Sequence, residues 1–285
     1  MAKSVFAGVD RNRIAEAPFP YVVAPNALDA ALYAELEASF PSFEKVVDGR
    51  AIENNKVYLR NAVEVIDDPD TPHVWRDFFA YHVSDGFFRE MLEFWRAPIA
   101  REYPDLEQRF GKPLAQVTTG MRRRGVYKAA ENFDADVMMD VQFGVNSPVS
   151  APSTVRGPHV DKPEKLFAAL LYFRDPLDDA DGGDLELYRV RSPRWHFDGR
   201  RDLRDEMVER FETVPYAPNT LVAWLNTQRS LHGVTPRVRS TRPRRYVNFI
   251  AECYRLKTPG FFEVKRSRTG LAVSAVRRAL GFRDA

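Results

Sequence analysis

From Gln116 to Tyr254 the chain is a train of short β-rich runs, VTTGMRRRGVY, DADVMMDVQFGVNSP, LFAALLYF, GDLELYRV, FETVPY, TLVAWL and RYVNFIAECY. Each is rich in β-branched or aromatic residues and is stopped by Pro, Gly, Asn or Asp. Runs of this length and punctuation point to a mostly antiparallel barrel or jelly roll. The residues ahead of them have a different period. Tyr21 to Val23 reads as a short strand, Asn26 as the cap of a helix carrying Leu28, Leu32, Leu36 and Phe40, and Pro41 as its stop. Residues 44–72 are polar and irregular and read as loop and edge. Between Val74 and Tyr103, Trp75, Phe78, Phe79, Phe87, Phe88, Met91, Phe94 and Trp95 fall at helical intervals, in two helices broken near Ser84-Asp85-Gly86.

The expectation is therefore an α+β fold: a mainly helical part, 1–115, packed on a β core, 116–258, followed by a basic tail, 259–285. No internal repeat or low-complexity segment interrupts it. Two segments stand apart from the core pattern. RSPRWHFDGRRDLRDEMVER, between Val190 and Phe211, is charged and carries Trp195; it suits an active-site lid or a surface excursion. TGLAVSAVRRALGF, near the end, reads as a short basic amphipathic helix that docks on its own domain or on a membrane surface or partner.

With 285 residues, 44% of them hydrophobic, the chain has enough apolar matter for an ordinary core. Charges at Asp10, Arg11 and Arg13 precede any apolar run of signal-peptide length, and nowhere do about 18 apolar residues follow one another. A cytoplasmic protein without a transmembrane span is expected. The lone cysteine, Cys253, excludes an internal disulfide and a cysteine metal cluster, so a metal must be held by histidines and carboxylates. The net charge of +2 is uneven: residues 229–285 hold 14 Arg and Lys against 3 Asp and Glu, a net of +11, leaving −9 for the rest. That asymmetry suits an anionic ligand or a solvated basic face. Arg122-Arg123-Arg124 alternates across a strand, which fits a solvated edge, and without interleaved aromatics no nucleic-acid partner is expected.

His159 and Asp161 are two residues apart, so on an extended strand both side chains leave one face, where an imidazole nitrogen and a carboxylate oxygen can hold one metal ion. His232, at the end of another run, is the best third ligand. Two histidines and one carboxylate on a triangular face leave positions open, an arrangement that suits non-haem Fe(II). Gly182-Gly183 supplies a tight return between LFAALLYF and DLELY. The run beginning Arg244-Arg245-Tyr246 places a basic residue one strand from the metal, where it can hold a carboxylate with two parallel hydrogen bonds.

Residues from about 137 to 254 resemble the double-stranded β-helix (jelly-roll) core of the 2-oxoglutarate- and Fe(II)-dependent dioxygenases, of the prolyl 4-hydroxylase-like branch. His159-Val160-Asp161 resembles that family's metal-binding His-X-Asp, and His232, in His232-Gly233-Val234-Thr235-Pro236, its distal histidine. Gly182-Gly183-Asp184-Leu185 resembles the Gly-Gly-X-Leu turn. Tyr172 falls where the branch often puts a tyrosine that meets the 2-oxoglutarate carboxylate, and Arg245, before Tyr246-Val247-Asn248-Phe249, matches the basic residue that pairs with the same carboxylate. Arg242 stands at the more usual spacing from His232 but precedes Pro243, so Arg245 is preferred, with Arg242 and Arg244 as alternatives.

The resemblance implies Fe(II) held by His159, Asp161 and His232, 2-oxoglutarate chelating it with its far carboxylate on Arg245 and Tyr172, O2 as co-substrate, and hydroxylation with release of succinate and CO2. Asp161 argues against a halogenase, in which a small residue vacates that position. A small or sugar-containing, anionic substrate is favoured over a prolyl or other protein side chain. Gln142, Asn146 and Arg156 can line the pocket mouth or satisfy turn backbone groups. Two other classes stand beside this one. A non-catalytic cupin-like binding barrel would have no use for the triad, and a metal-dependent hydrolase would need a water-activating carboxylate, for which Glu164 is nearest in sequence.

Overall fold

The computed structural model describes residues 4–125, 134–197, 201–238, 240–257 and 260–262. Its strands are β1 (Tyr21–Pro25), β2 (Val57–Asn61), β3 (Thr119–Met121), β4 (Val137–Asn146), β5 (Lys165–Tyr172), β6 (Leu185–Val190), β7 (Val208–Val214), β8 (Thr220–Leu225), β9 (His232–Val234) and β10 (Arg244–Glu252). The helices are α1 (Ala30–Ala38), α2 (Phe43–Val47), α3 (Ala62–Ile66), α4 (His73–His82), α5 (Asp85–Phe94), α6 (Arg96–Glu102) and α7 (Leu106–Phe110). None is long and apolar enough to cross a membrane.

Two-residue alternation sorts the strands onto two faces. In β4, Val137, Met139, Val141, Phe143 and Val145 enter the larger apolar core, while Asp140, Gln142, Gly144 and Asn146 take the opposite parity. The same parity runs through β10, where Val247, Phe249 and Ala251 join that core and Tyr246 joins a second, smaller one. Strands β1-β8-β5-β10-β4-β2 form one sheet, with β3 also pairing β4, and β7-β6-β9 form another. The helices cover the outer face of the larger sheet. Trp75 of α4 meets Phe143 at 4.6 Å between ring centroids, and His82 meets Phe249 at 5.1 Å.

The segment bearing His159 joins the smaller sheet beside β9, through reciprocal backbone hydrogen bonds between His159 and His232 of 2.9 and 3.0 Å. From β4 onward the chain thus visits the larger sheet at β4, β5, β8 and β10 and the smaller one at the His159 segment, β6, β7 and β9. This is a double-stranded β-helix with helices packed on one face, an α+β architecture. The smaller core, with Tyr172, Leu185, Leu187, Tyr216, Trp224 and Tyr246, lies between the sheets.

Some local expectations differ. Asn26 does not cap α1; it has a left-handed φ of 54°, and Asp29 accepts from the Ala31 and Leu32 N–H groups instead. The stretch expected to be irregular, 44–72, holds β2 and α3 and most of α2. Ser84 caps α5, where the helical break was expected. Part of the insertion after Val190 becomes an outer neighbour of the His159 segment: Val160 N–H donates to the Arg201 carbonyl at 2.9 Å and Leu203 N–H to that of Pro158 at 2.8 Å. The helix expected within TGLAVSAVRRALGF lies outside the described residues.

Candidate metal centre

His159, Asp161 and His232 are buried and offer ligand atoms that all lie within 4.8 Å of one another. The two histidines arrive as direct cross-strand neighbours, their ring centroids 4.1 Å apart. Each ring is aimed by its own backbone: Nδ1 of His159 lies 3.0 Å from the Gly157 carbonyl and Nδ1 of His232 lies 2.9 Å from the Ser230 carbonyl. A carbonyl can only accept, so both rings carry their proton on Nδ1 and leave the Nε2 lone pair for a metal. Burial lowers both imidazole pKa values, that of His159 further through His232. Burial alone would raise Asp161, but the Lys165 ammonium beside it overcomes that and holds the carboxylate well below its usual range. The ligands are therefore two neutral imidazoles and one carboxylate, a facial triad of the kind that suits Fe(II). Among the described residues no further His or carboxylate joins this group, Glu164 included.

A second polar cluster lies on the same inner face, at the start of β10. Arg244 is 2% exposed and its guanidinium carbon sits 4.9 Å from the Tyr172 ring, 4.9 Å from Tyr216 and 5.2 Å from Tyr246. Its Nε donates to the Gly183 carbonyl at 2.7 Å and its Nη1 to Asn146 Oδ1 at 3.3 Å. The Gly182-Gly183 turn, with φ of 79° and 83°, delivers that carbonyl. A Cβ on Gly182 would lie 1.9 Å from the Pro236 oxygen, so no larger residue fits. In this cluster three buried polar atoms have no partner among the described residues: Arg244 Nη2, Tyr172 Oη and Asn146 Nδ2. A buried guanidinium and its neighbouring donors, left unsatisfied, are costly unless an acceptor anion meets them. An Arg and a Tyr hydroxyl together can hold one carboxylate.

Arg245, preferred in the sequence for that role, lies on the other face. Its Nη2 pairs with Glu37 Oε1 at 3.0 Å, its Nε donates to the Phe173 carbonyl at 2.9 Å, and it covers the Phe40 ring. Arg242 is part-exposed, 3.7 Å from Asp175. The guanidinium that meets Tyr172 is that of Arg244. The signal was in the alternation: Arg245 shares parity with Val247 and Phe249, whereas Arg244 shares it with Tyr246 and Asn248.

Between the triad and Arg244, the middle of the inner face is open. Leu170 and Asn248 are cross-strand neighbours in two central strands, yet both are part-exposed while Tyr172 and Tyr246 beyond them are buried. Asn248 Nδ2 donates to Gln142 Oε1 at 2.8 Å, and Gln142 Nε2 donates to Asn61 Oδ1 at 2.8 Å and to Asp140 Oδ2 at 2.9 Å. Arg122 is buried, not a solvated edge residue: it donates to Asp140 at 2.7 Å and to Glu252 at 3.0 Å. Arg156, expected at the mouth, pairs with Asp202 at 3.2 Å.

No family model and no curated protein matches the sequence. Among solved structures the chain is similar to a prolyl-4-hydroxylase from Pseudomonas putida, at 14% identity over 82% of this chain and 92% of that one, with a TM-score of 0.39. It is also similar to a prolyl 4-hydroxylase from Phytophthora capsici, at 14% identity over 98% and 72%, with a TM-score of 0.41. A third likeness is to the epimerase SnoN in complex with Fe3+, alpha ketoglutarate and nogalamycin RO, at 13% identity over 85% and 80%, with a TM-score of 0.39.

Proposed function

We propose that the protein is an Fe(II)- and 2-oxoglutarate-dependent dioxygenase that hydroxylates a small, polar substrate. One observation carries the reading: the same inner face that presents two neutral imidazoles and a carboxylate also presents, at its far end, a buried guanidinium with unsatisfied donors beside it. His159, Asp161 and His232 would hold the metal; Arg244, Tyr172 and Asn146 would hold the far carboxylate of the 2-oxoacid. Fe(II) with 2-oxoglutarate supplies the activation of O2, with succinate and CO2 as products and one oxygen atom left for the substrate.

The chain's own residues account for what that chemistry requires. Burial keeps the imidazoles unprotonated, so metal binding need not displace protons from them at neutral pH. The tyrosine cage keeps water from the Arg244 guanidinium, which strengthens its hold on an anion. Leu170, facing the opening between the two anchor points, gives the oxoacid an apolar side to lie along. A binding barrel without chemistry has no use for this combination, and a hydrolase would need a carboxylate that the triad lacks.

The part-exposed carboxamide of Asn248 supports a hydrogen-bonding substrate, and a small or sugar-containing molecule is favoured over a protein side chain. The test is release of labelled CO2 from 1-carbon-labelled 2-oxoglutarate by the Fe(II)-loaded protein, with pooled polar metabolites and with proline-containing peptides. Turnover that needs 2-oxoglutarate, disappears in Asp161→Ala and rises with a small polar metabolite supports the reading. No CO2 release under any condition contradicts it, and stimulation by peptides alone moves the substrate to protein.

A further inference from the structure

Lys165 opens β5, four residues beyond Asp161, across a turn closed by the Lys165 N–H donating to the Lys162 carbonyl at 3.1 Å. The turn is tied from several sides. Asn226 Nδ2 donates to the carbonyls of Lys162 and Lys165 at 2.9 and 3.0 Å. Cys253 N–H donates to that of Glu164 and Phe261 N–H to that of Pro163, each at 2.7 Å. Within this frame Lys165 Nζ lies 3.1 Å from Asp161 Oδ2, with side chains 15% and 8% exposed. The cross-strand neighbour of Lys165, Glu252, is occupied on Oε2 by Arg122 and by Tyr254 Oη at 2.7 Å.

We propose that Lys165 is a positioning residue that occupies Oδ2 of Asp161, so that the carboxylate offers the metal Oδ1 alone. The inference deepens the proposed function and rests on it. A carboxylate binds a metal through one oxygen or through two. Binding through one oxygen would leave room beside the two imidazoles for a 2-oxoacid and O2. Binding through both would take some of that room. An ammonium on Oδ2, held by a fixed turn, excludes the second mode before any metal arrives. It also keeps the buried carboxylate paired in the metal-free protein, where it would otherwise be costly.

The role separates two binding steps that a merely structural residue would move together. Mn(II) serves as the probe metal and 2-oxoglutarate as the probe acid, both followed by calorimetry without O2, on the wild type, Lys165→Gln and Lys165→Arg. In Lys165→Gln, Mn(II) is expected to bind within about threefold of wild type, while 2-oxoglutarate binds the Mn(II) form about tenfold or more weakly, the loss of roughly one charge-assisted contact's worth of organisation. Lys165→Arg, which can still donate to Oδ2, is expected to restore 2-oxoglutarate binding. Unchanged 2-oxoglutarate affinity in Lys165→Gln, or loss of Mn(II) itself, would overturn the inference while leaving the wild-type site intact. A wild type that binds neither probe would overturn it together with the reading on which it rests.

Discussion

Arg244 and Tyr172 meet across neighbouring strands with the guanidinium carbon 4.9 Å from the phenol ring, and each keeps a buried polar atom without a partner. The pair lies on the face that carries the triad, and in the function proposed above it is what would hold an anion beside the metal.

Arg244 and Arg245 are adjacent in sequence and opposed in space, so their substitutions should separate function from stability. Arg244→Leu is expected to weaken 2-oxoglutarate binding to the Mn(II) form by about tenfold to a hundredfold or more, because it leaves a bound carboxylate unpaired at a cost of about 1–3 kcal/mol. Arg245→Leu is expected to leave that affinity within about threefold and to lower the urea midpoint instead, since Glu37 and the Phe173 carbonyl lose their partner. Calorimetry and urea titration of both variants check this, and the reverse pattern would return the anion site to Arg245.

Arg122 is the cation between two buried carboxylates, Asp140 and Glu252, with side chains 7%, 1% and 5% exposed. Arg122→Met should therefore destabilise the fold by about 3–5 kcal/mol, because the carboxylates lose their shared counter-charge. Urea unfolding measures it. A loss below about 1 kcal/mol would mean that the cluster rearranges or takes up a proton at no cost.

The pH dependence of stability follows from buried imidazoles. His82 is fully buried, its Nε2 accepting from the Val5 N–H at 3.1 Å and its Nδ1 on the Phe78 carbonyl at 2.7 Å, and burial pulls its pKa down to about 3. Both site histidines are shifted in the same direction. Below about pH 6.5 the unfolded chain protonates these rings and the folded chain does not, so stability falls as pH falls. Asp140 acts in the opposite sense, because burial raises it to about 6 despite Arg122, and it offsets one of the three. The metal-free protein is expected to show a falling urea midpoint from pH 7 to pH 5. A flat or rising midpoint would contradict the neutral assignment of these rings.

What could be read in advance follows the reach of each signal. The triad was legible because a two-residue spacing on a strand fixes a shared face without knowledge of the fold. The helical break at Ser84 was legible because the aromatic stripe changes phase there. Helices α2 and α3 were not, since five residues show too little periodicity; only their caps, Ser42 and the Asn61–Glu64 capping box, marked them. The pairing of residues 201–203 with the His159 segment had no local β signal, being imposed by the neighbouring strand. Counting from His232 points to Arg242, and the Pro243 after it shifts the preference to Arg245, whereas parity with Tyr246 and Asn248 picks out Arg244, the guanidinium that meets Tyr172.

The central claim is that one face of the barrel holds Fe(II) and 2-oxoglutarate together. Anaerobic titration of the protein with both, watched for the weak visible charge-transfer band of the chelate, tests it most directly, with Asp161→Ala and Arg244→Leu alongside. The account predicts a band that requires both ligands, is lost or weakened in Asp161→Ala, and in Arg244→Leu appears only at higher 2-oxoglutarate. An Fe(II)-loaded, folded wild type that shows no band at saturating 2-oxoglutarate would contradict it.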